Sequence, residues 1–139
     1  TENIGPWVCQ HNLVYWRNQP WLGLGAGAYS WLRGRRWSNV RHPVDYIVEG
    51  QTGCWPETDA EIITPSLERS ETLMLGLRLA EGVSDAHFHA RFGVSLNAAY
   101  GDTIAQLSTA GLVEWDGLRL RLSTRGRLLG NQVFGAFLP

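Results

Sequence analysis

The sequence predicts an α+β protein whose second half is a winged-helix domain: three helices, then a β-hairpin and a closing helix. Two observations carry this expectation. From Thr64 onward apolar residues recur at helical spacing between caps and glycine stops, and Asp116-Gly117 then separates two short runs of strand character. A third observation sets the first half apart: six of the seven tryptophans fall in the first 55 residues, beside an apolar stretch broken by glycine. The division lies in the loop through Gly50, Gly53, Pro56 and Pro65, which gives segments 1–63 and 64–139.

In the first segment, Trp21 to Trp31 reads as a short buried strand, because Gly23, Gly25 and Gly27 weaken a helix interior. Pro43 to Val48 starts a short helix. A strand and a helix with large apolar faces do not make a domain by themselves. In the second segment, Thr64 with Pro65 at the first helical position opens a helix predicted to run to Glu81, with Gly82 as its stop. Ser84 caps a short helix through Phe92, ended by Gly93. Ser95 opens a third, with Leu96, Tyr100, Ile104 and Leu107 at helical spacing and Gly111 as its end. Leu112–Trp115 and Leu118–Leu122 form the hairpin, where Asp116-Gly117 predicts a type I′ turn and Leu118, Leu120 and Leu122 alternate with Arg119 and Arg121. Thr124 caps a last amphipathic helix through Leu128, Val133, Phe134 and Phe137.

A chain of 139 residues is long enough for one ordinary domain or for two small units that lean on each other. A net charge of −1 gives no global field toward nucleic acid or an anionic membrane. All positive charge is arginine, with no lysine. Residues 66–139 hold seven arginines against seven carboxylates, and the third helix carries Asp102 and no cation, so binding to duplex DNA is disfavoured. Cys9 and Cys54 make no disulfide framework, and a reduced, cytoplasmic setting is expected. No apolar run approaches the roughly 20 residues needed to span a bilayer, and residues 1–10 do not read as a signal peptide. Thr1 in place of methionine, ahead of a segment that reads as mid-fold, predicts a piece of something longer.

Chemistry concentrates in Cys9–Ser30, where His11, Asn12, Tyr15 and Trp16 precede the glycine run. An imidazole and an amide among aromatic rings, followed by backbone that a ligand can approach closely, suggest a pocket for a flat molecule. On spacing alone His11 is either an axial haem ligand or a histidine that hydrogen-bonds a loop. A metal site built on Cys9 and His11 fails on ligand count, and His87 and His89, two residues apart, point to different helix faces. The glycine spacing is wrong for a dinucleotide fingerprint, which leaves close strand packing or ligand contact. Arg33, Arg35, Arg36 and Arg41, beside Trp31 and Trp37, are either anion contacts or a solvated cluster on a loop.

His-Asn-x-x-Tyr-Trp at residues 11–16 and Leu-Gly-x-Gly-x-Gly-Ala-x-Ser at Leu22–Ser30 resemble the C-terminal third of the radical-SAM haem chaperones of HemW type. These are close relatives of oxygen-independent coproporphyrinogen III oxidase. The resemblance continues through Asn39, Pro43 and Tyr46, then Glu71 to Phe92, and on to Phe137. It implies that residues 1–63 are the terminal strand and loop piece of a partial β/α (TIM-like) barrel, and that residues 64–139 are a winged-helix domain of HemN C-terminal type. It further implies haem as ligand, with His11 as iron contact and Asn12, Tyr15 and Trp16 around it, and Gly23, Gly25 and Gly27 on a strand bordering a SAM cavity. Arg33, Arg35 and Arg36 remain possible anion contacts. A [4Fe-4S] cluster and SAM would sit on the missing barrel portion, because this chain lacks the three closely spaced cysteines; it is then not catalytic alone. The implied function is haem binding and delivery to acceptor proteins. The alternative is a part of the oxidase, and the His-Asn-x-x-Tyr-Trp motif marks the chaperone branch.

Overall fold

The computed structural model describes residues 8–138. Trp7 and the outer ends of segments 1–63 and 64–139 lie outside the described residues. The chain divides into two units: Gln19–Thr64, and the flanking segments up to Asn18 and from Pro65. The sequence groups the His11 stretch with the tryptophan-rich first part, whereas the structure folds it with the second. Helix α1 (Gln10–Trp16) buries Leu13 and packs on the helix that begins at Pro65. Arg17 pairs with Glu81 at 2.9 Å, and buried Asn18 donates from Nδ2 to Thr72 Oγ1 at 3.1 Å. Asn18 takes φ 48, a left-handed turn that asparagine tolerates better than most residues. Arg91 closes the joint, donating to the Arg17 carbonyl at 3.3 Å while its guanidinium holds Glu68 at 2.7 Å.

Gln19–Thr64 builds an open antiparallel sheet in the order β1-β2-β3 from β1 (Tyr29–Leu32), β2 (Arg35–Asn39) and β3 (Glu57–Ile62), with α2 (Pro43–Gln51) between the last two strands. The first two strands are a hairpin turning on Arg33 (φ 51) and Gly34 (φ 73), two consecutive positive-φ residues as a type I′ turn requires. Arg33, Arg35 and Arg36 therefore lie in a hairpin and not in a loop, while Arg41 follows β2 in a bend. β3 lies within the loop expected through Pro56 and Pro65; its sequence, Glu-Thr-Asp-Ala-Glu-Ile, buries no side chain on either face. The expected strand from Trp21 to Trp31 forms only at its ends. Trp21 bridges Trp31, while Gly25 (φ 105) and Gly27 (φ 70) bend the backbone between them out of any ladder. Trp31, Trp37, Ser30, Ser38 and Asn39 are buried in this unit.

From Pro65 the order is α3 (Pro65–Gly76), β4 (Val83–Ser84), α4 (Asp85–Phe92), α5 (Leu96–Thr109), β5 (Val113–Trp115), β6 (Arg119–Leu122), α6 (Thr124–Leu128) and α7 (Gly130–Gly135). The second small sheet runs β4-β6-β5, antiparallel throughout, with Trp115 opposite Leu120 and Val113 opposite Leu122. Leu120 and Leu122 are buried and Arg119 and Arg121 only half-buried, so the alternation sorts the two faces as expected. Leu73, Leu77, Phe88, Leu96, Leu120, Val133 and Phe137 form the centre of one core, each side chain contributing about 1.5–3 kcal/mol when fully buried.

The caps fall largely as the sequence indicates. Ser95 Oγ accepts the Ala98 N–H at 3.1 Å and Ser84 Oγ the His87 N–H at 3.5 Å, while Gly93 ends α4 at φ 70. Three details differ. Helix α3 stops at Gly76 rather than Glu81, where the chain tightens into Arg78→Leu75 and Leu79→Gly76 turn bonds, and Gly76 lies so close to Val83 that no Cβ fits. The last cap is Ser123, whose Oγ accepts the Gly126 N–H at 2.9 Å, and the helix breaks at Leu129 (φ −112) into α6 and α7. In the β5–β6 turn Gly117 alone has positive φ (85), the pattern of a II′ rather than a I′ turn.

Candidate functional site

A seven-residue helix is unstable by itself in water, so α1 exists because of its packing. Buried Leu13 and the Arg17, Asn18 and Arg91 contacts hold it against α3, which leaves the opposite faces for its motif residues. His11 and Tyr15, one turn apart, share one face; Asn12 and Trp16 share the next. The Tyr15 hydroxyl and His11 Nε2 are 3.2 Å apart, and their rings meet edge to face with centroids at 5.0 Å. His11 and Asn12 are exposed, and Trp16 is 37% exposed. The structure thus brings the four motif residues together on one short helix, with the imidazole at the surface.

Sequence reasoning missed Arg78. Its guanidinium carbon stands 5.9 Å from the Trp16 ring centroid and 4.5 Å from that of Phe134, so a cation bridges α1 and α7. No periodicity or motif links these three positions, which meet only in the folded unit.

The glycine run lies in the other unit and is fastened by side chains. Buried Asn39 donates from Nδ2 to the Gly23 carbonyl at 3.1 Å and the Gly25 carbonyl at 2.9 Å, and the Tyr46 hydroxyl accepts the Gly25 N–H at 3.2 Å. Gly23 is required for packing, since an added Cβ would overlap the Tyr29 carbonyl; at Gly25 a Cβ would meet open space. Among the neighbouring arginines, Arg35 grips Glu57 with two bonds of 2.7 and 2.6 Å, which raises the Arg35 pKa and holds the Glu57 carboxyl below its usual range. Arg36 pairs with Glu61 at 3.0 Å and Arg41 with Asp59 at 3.6 Å. Only Arg33, exposed at the hairpin turn, lacks a carboxylate partner among the described residues.

Metal chemistry beyond a single imidazole finds no support here. Among the described residues no group of three or more His, Cys, Asp or Glu is placed to hold a metal ion, and Cys9 and Cys54 are both exposed and free. A [4Fe-4S] cluster does not fit this donor set. A haem macrocycle would ask for less: one imidazole nitrogen, flat apolar surface and a cation for its carboxylates, such as His11, Trp16 with Phe134, and Arg78 offer in the unit that contains α1. No helix of the described residues is long and apolar enough to cross a membrane.

Residues 63–129 match the HemN C-terminal domain family. The protein named heme chaperone HemW from Bacillus subtilis is 37% identical over 132 residues, which are 93% of this chain and 34% of that protein. The HemW of Lactococcus lactis is 33% identical over 129 residues, with the same coverage. The chain thus spans about a third of the length of the curated relatives it matches. Among solved structures, coproporphyrinogen III oxidase (HemN) from Escherichia coli, described as a radical SAM enzyme, shares the fold with a TM-score of 0.64 at 16% identity, over 86% of this chain and 28% of that one. Residues 63–129 thus carry a HemN C-terminal domain, within a chain whose sequence is similar to HemW over most of its length.

Proposed function

We propose that the chain is the haem-binding C-terminal part of a HemW-type haem chaperone, which takes up haem and passes it to acceptor proteins. The observation that carries this reading is the surface-presented His11 imidazole, set beside Tyr15 and Trp16 on a helix anchored to the unit that holds the HemN C-terminal domain. An exposed ligand suits delivery, because an acceptor can reach the iron without the donor unfolding. His11 would hold the iron through a ring nitrogen, and Asn12, Tyr15 and Trp16 would border the macrocycle.

The domain reading goes with it. The order α3, β4, α4, α5 and the β5–β6 hairpin supports a winged helix in residues 64–139. Exposed Leu22, Leu24, Ile47 and Val48 support residues 19–63 as the edge of a barrel completed by chain outside this sequence, where SAM and a [4Fe-4S] cluster would reside. Of the glycines on the bend, Gly25 and Gly27 leave room for a ligand, and of Arg33, Arg35 and Arg36 only Arg33 has no carboxylate partner among the described residues.

Haem titration of the full chain tests this. His11→Ala should weaken binding about tenfold or more and shift the Soret band, because iron loses an axial ligand. Alanine at His42, His87 or His89 should leave both unchanged. An unaltered spectrum and affinity in His11→Ala would refute the ligand role.

A further inference from the structure

Arg78 belongs to a second feature besides the Trp16 contact. With Arg127, Asn131 and Gln132 it lines an open groove of about 570 Å³ whose apolar surface includes Leu128, 84% exposed, and Phe134. No carboxylate lines the groove, and neither Arg78 nor Arg127 forms an ion pair with any described residue. Four other arginines of this unit are engaged differently: Arg17 with Glu81, Arg91 with Glu68, Arg121 with Asp116, and Arg125 with the Ala110 carbonyl at 3.3 Å.

Two unpaired guanidinium groups beside exposed apolar surface suit an amphipathic anion with a flat hydrophobic body and carboxylates at one edge. Stacking on Phe134 and Trp16 already orders the Arg78 guanidinium, so less rotamer freedom is lost when it binds a carboxylate. Trp16 is itself one of the motif residues, and Arg78 touches both it and the groove wall. We infer that Arg78 and Arg127 form a carboxylate-binding subsite for the propionates of a tetrapyrrole, contiguous through Trp16 with the His11 helix. This rests on the haem reading of His11 and extends it to a part of the fold that the motif does not reach.

The test is a comparison of haem with its dimethyl ester, in which both propionates are neutral, by absorbance and tryptophan-fluorescence titration of the full chain. The unsubstituted chain should bind the diacid about tenfold more tightly than the diester, as charge-assisted bidentate bonds warrant. Arg78→Gln and Arg127→Gln should each reduce that preference while leaving the Soret position unchanged. Equal affinity for diacid and diester would overturn the subsite and leave the His11 reading intact. Parallel loss of both ligands in Arg78→Gln, with no loss of preference in Arg127→Gln, would also overturn it, since Arg78 would then act only by packing on Trp16 and Phe134. Absence of haem binding by the unsubstituted chain would remove the haem reading and the subsite together.

Discussion

The Tyr15 hydroxyl lies 3.2 Å from His11 Nε2, so one nitrogen of the motif imidazole is already engaged within its own helix. Ligation of iron through that nitrogen has to displace the tyrosine. Tyr15→Phe keeps the edge-to-face ring contact and removes the competing bond. A typical hydrogen bond contributes about 0.5–1.5 kcal/mol net, so haem should bind about two- to tenfold more tightly to the variant. Weaker binding in the same titration would show that the hydroxyl contacts haem directly.

Asn39→Ala removes two donors at once and leaves the Gly23 and Gly25 carbonyls without that partner. Its expected cost is about 1–3 kcal/mol in the Gln19–Thr64 unit. The effect should be local, read as faster limited proteolysis within Gly23–Gly27 while the α3–α7 core keeps its hydrogen-exchange protection.

Gly126→Ala tests a contact in the other unit. A Cβ there would overlap the Leu112 carbonyl, which accepts the Ser123 N–H at 3.0 Å at the end of the hairpin. Relief requires α6 to move away from the sheet, and urea denaturation should show a loss of about 1–3 kcal/mol, the usual range for overpacking.

Acid should loosen the β5–β6 turn before the core. Asp116 Oδ1 accepts the Arg119 N–H at 2.6 Å and the Leu118 N–H at 2.8 Å, and these bonds hold its carboxyl below the ordinary aspartate range. A carboxyl whose folded pKa is lowered stabilises the fold fully above its unfolded pKa, and that contribution fades as pH falls through the folded value. Amide exchange at Leu118 and Arg119, corrected for intrinsic rates, should therefore accelerate as pH drops below roughly 4. Asp116→Asn, which cannot titrate, should flatten the dependence.

Much of the Pro65–Leu138 region was legible because its signals are local. Ser84, Ser95, Gly93 and Gly111 mark helix ends through bonds and backbone angles within a few residues, and alternation along Arg119–Leu122 reports one buried face. The sequence misled where the local pattern admitted two solutions. Gly25 and Gly27 permit a bend as readily as a strand, and Asp116-Gly117-Leu118 accommodates a II′ turn as well as a I′ turn. β3 escaped notice because it buries no side chain on either face and is specified by pairing with β2, including the Arg35–Glu57 and Arg36–Glu61 bridges.

The sequence by itself determined the His-Asn-x-x-Tyr-Trp motif, whose i, i+4 spacing sets His11 with Tyr15 and Asn12 with Trp16 once a helix forms. Tertiary structure alone decided that this helix packs with the Pro65–Leu138 unit, that Arg78 stands over Trp16 and Phe134, and that Arg35 and Arg36 are occupied by Glu57 and Glu61. The physical reason is range. Caps, turns and helix faces are fixed by neighbours along the chain, whereas buried contacts and ion pairs depend on which distant segments the core brings together.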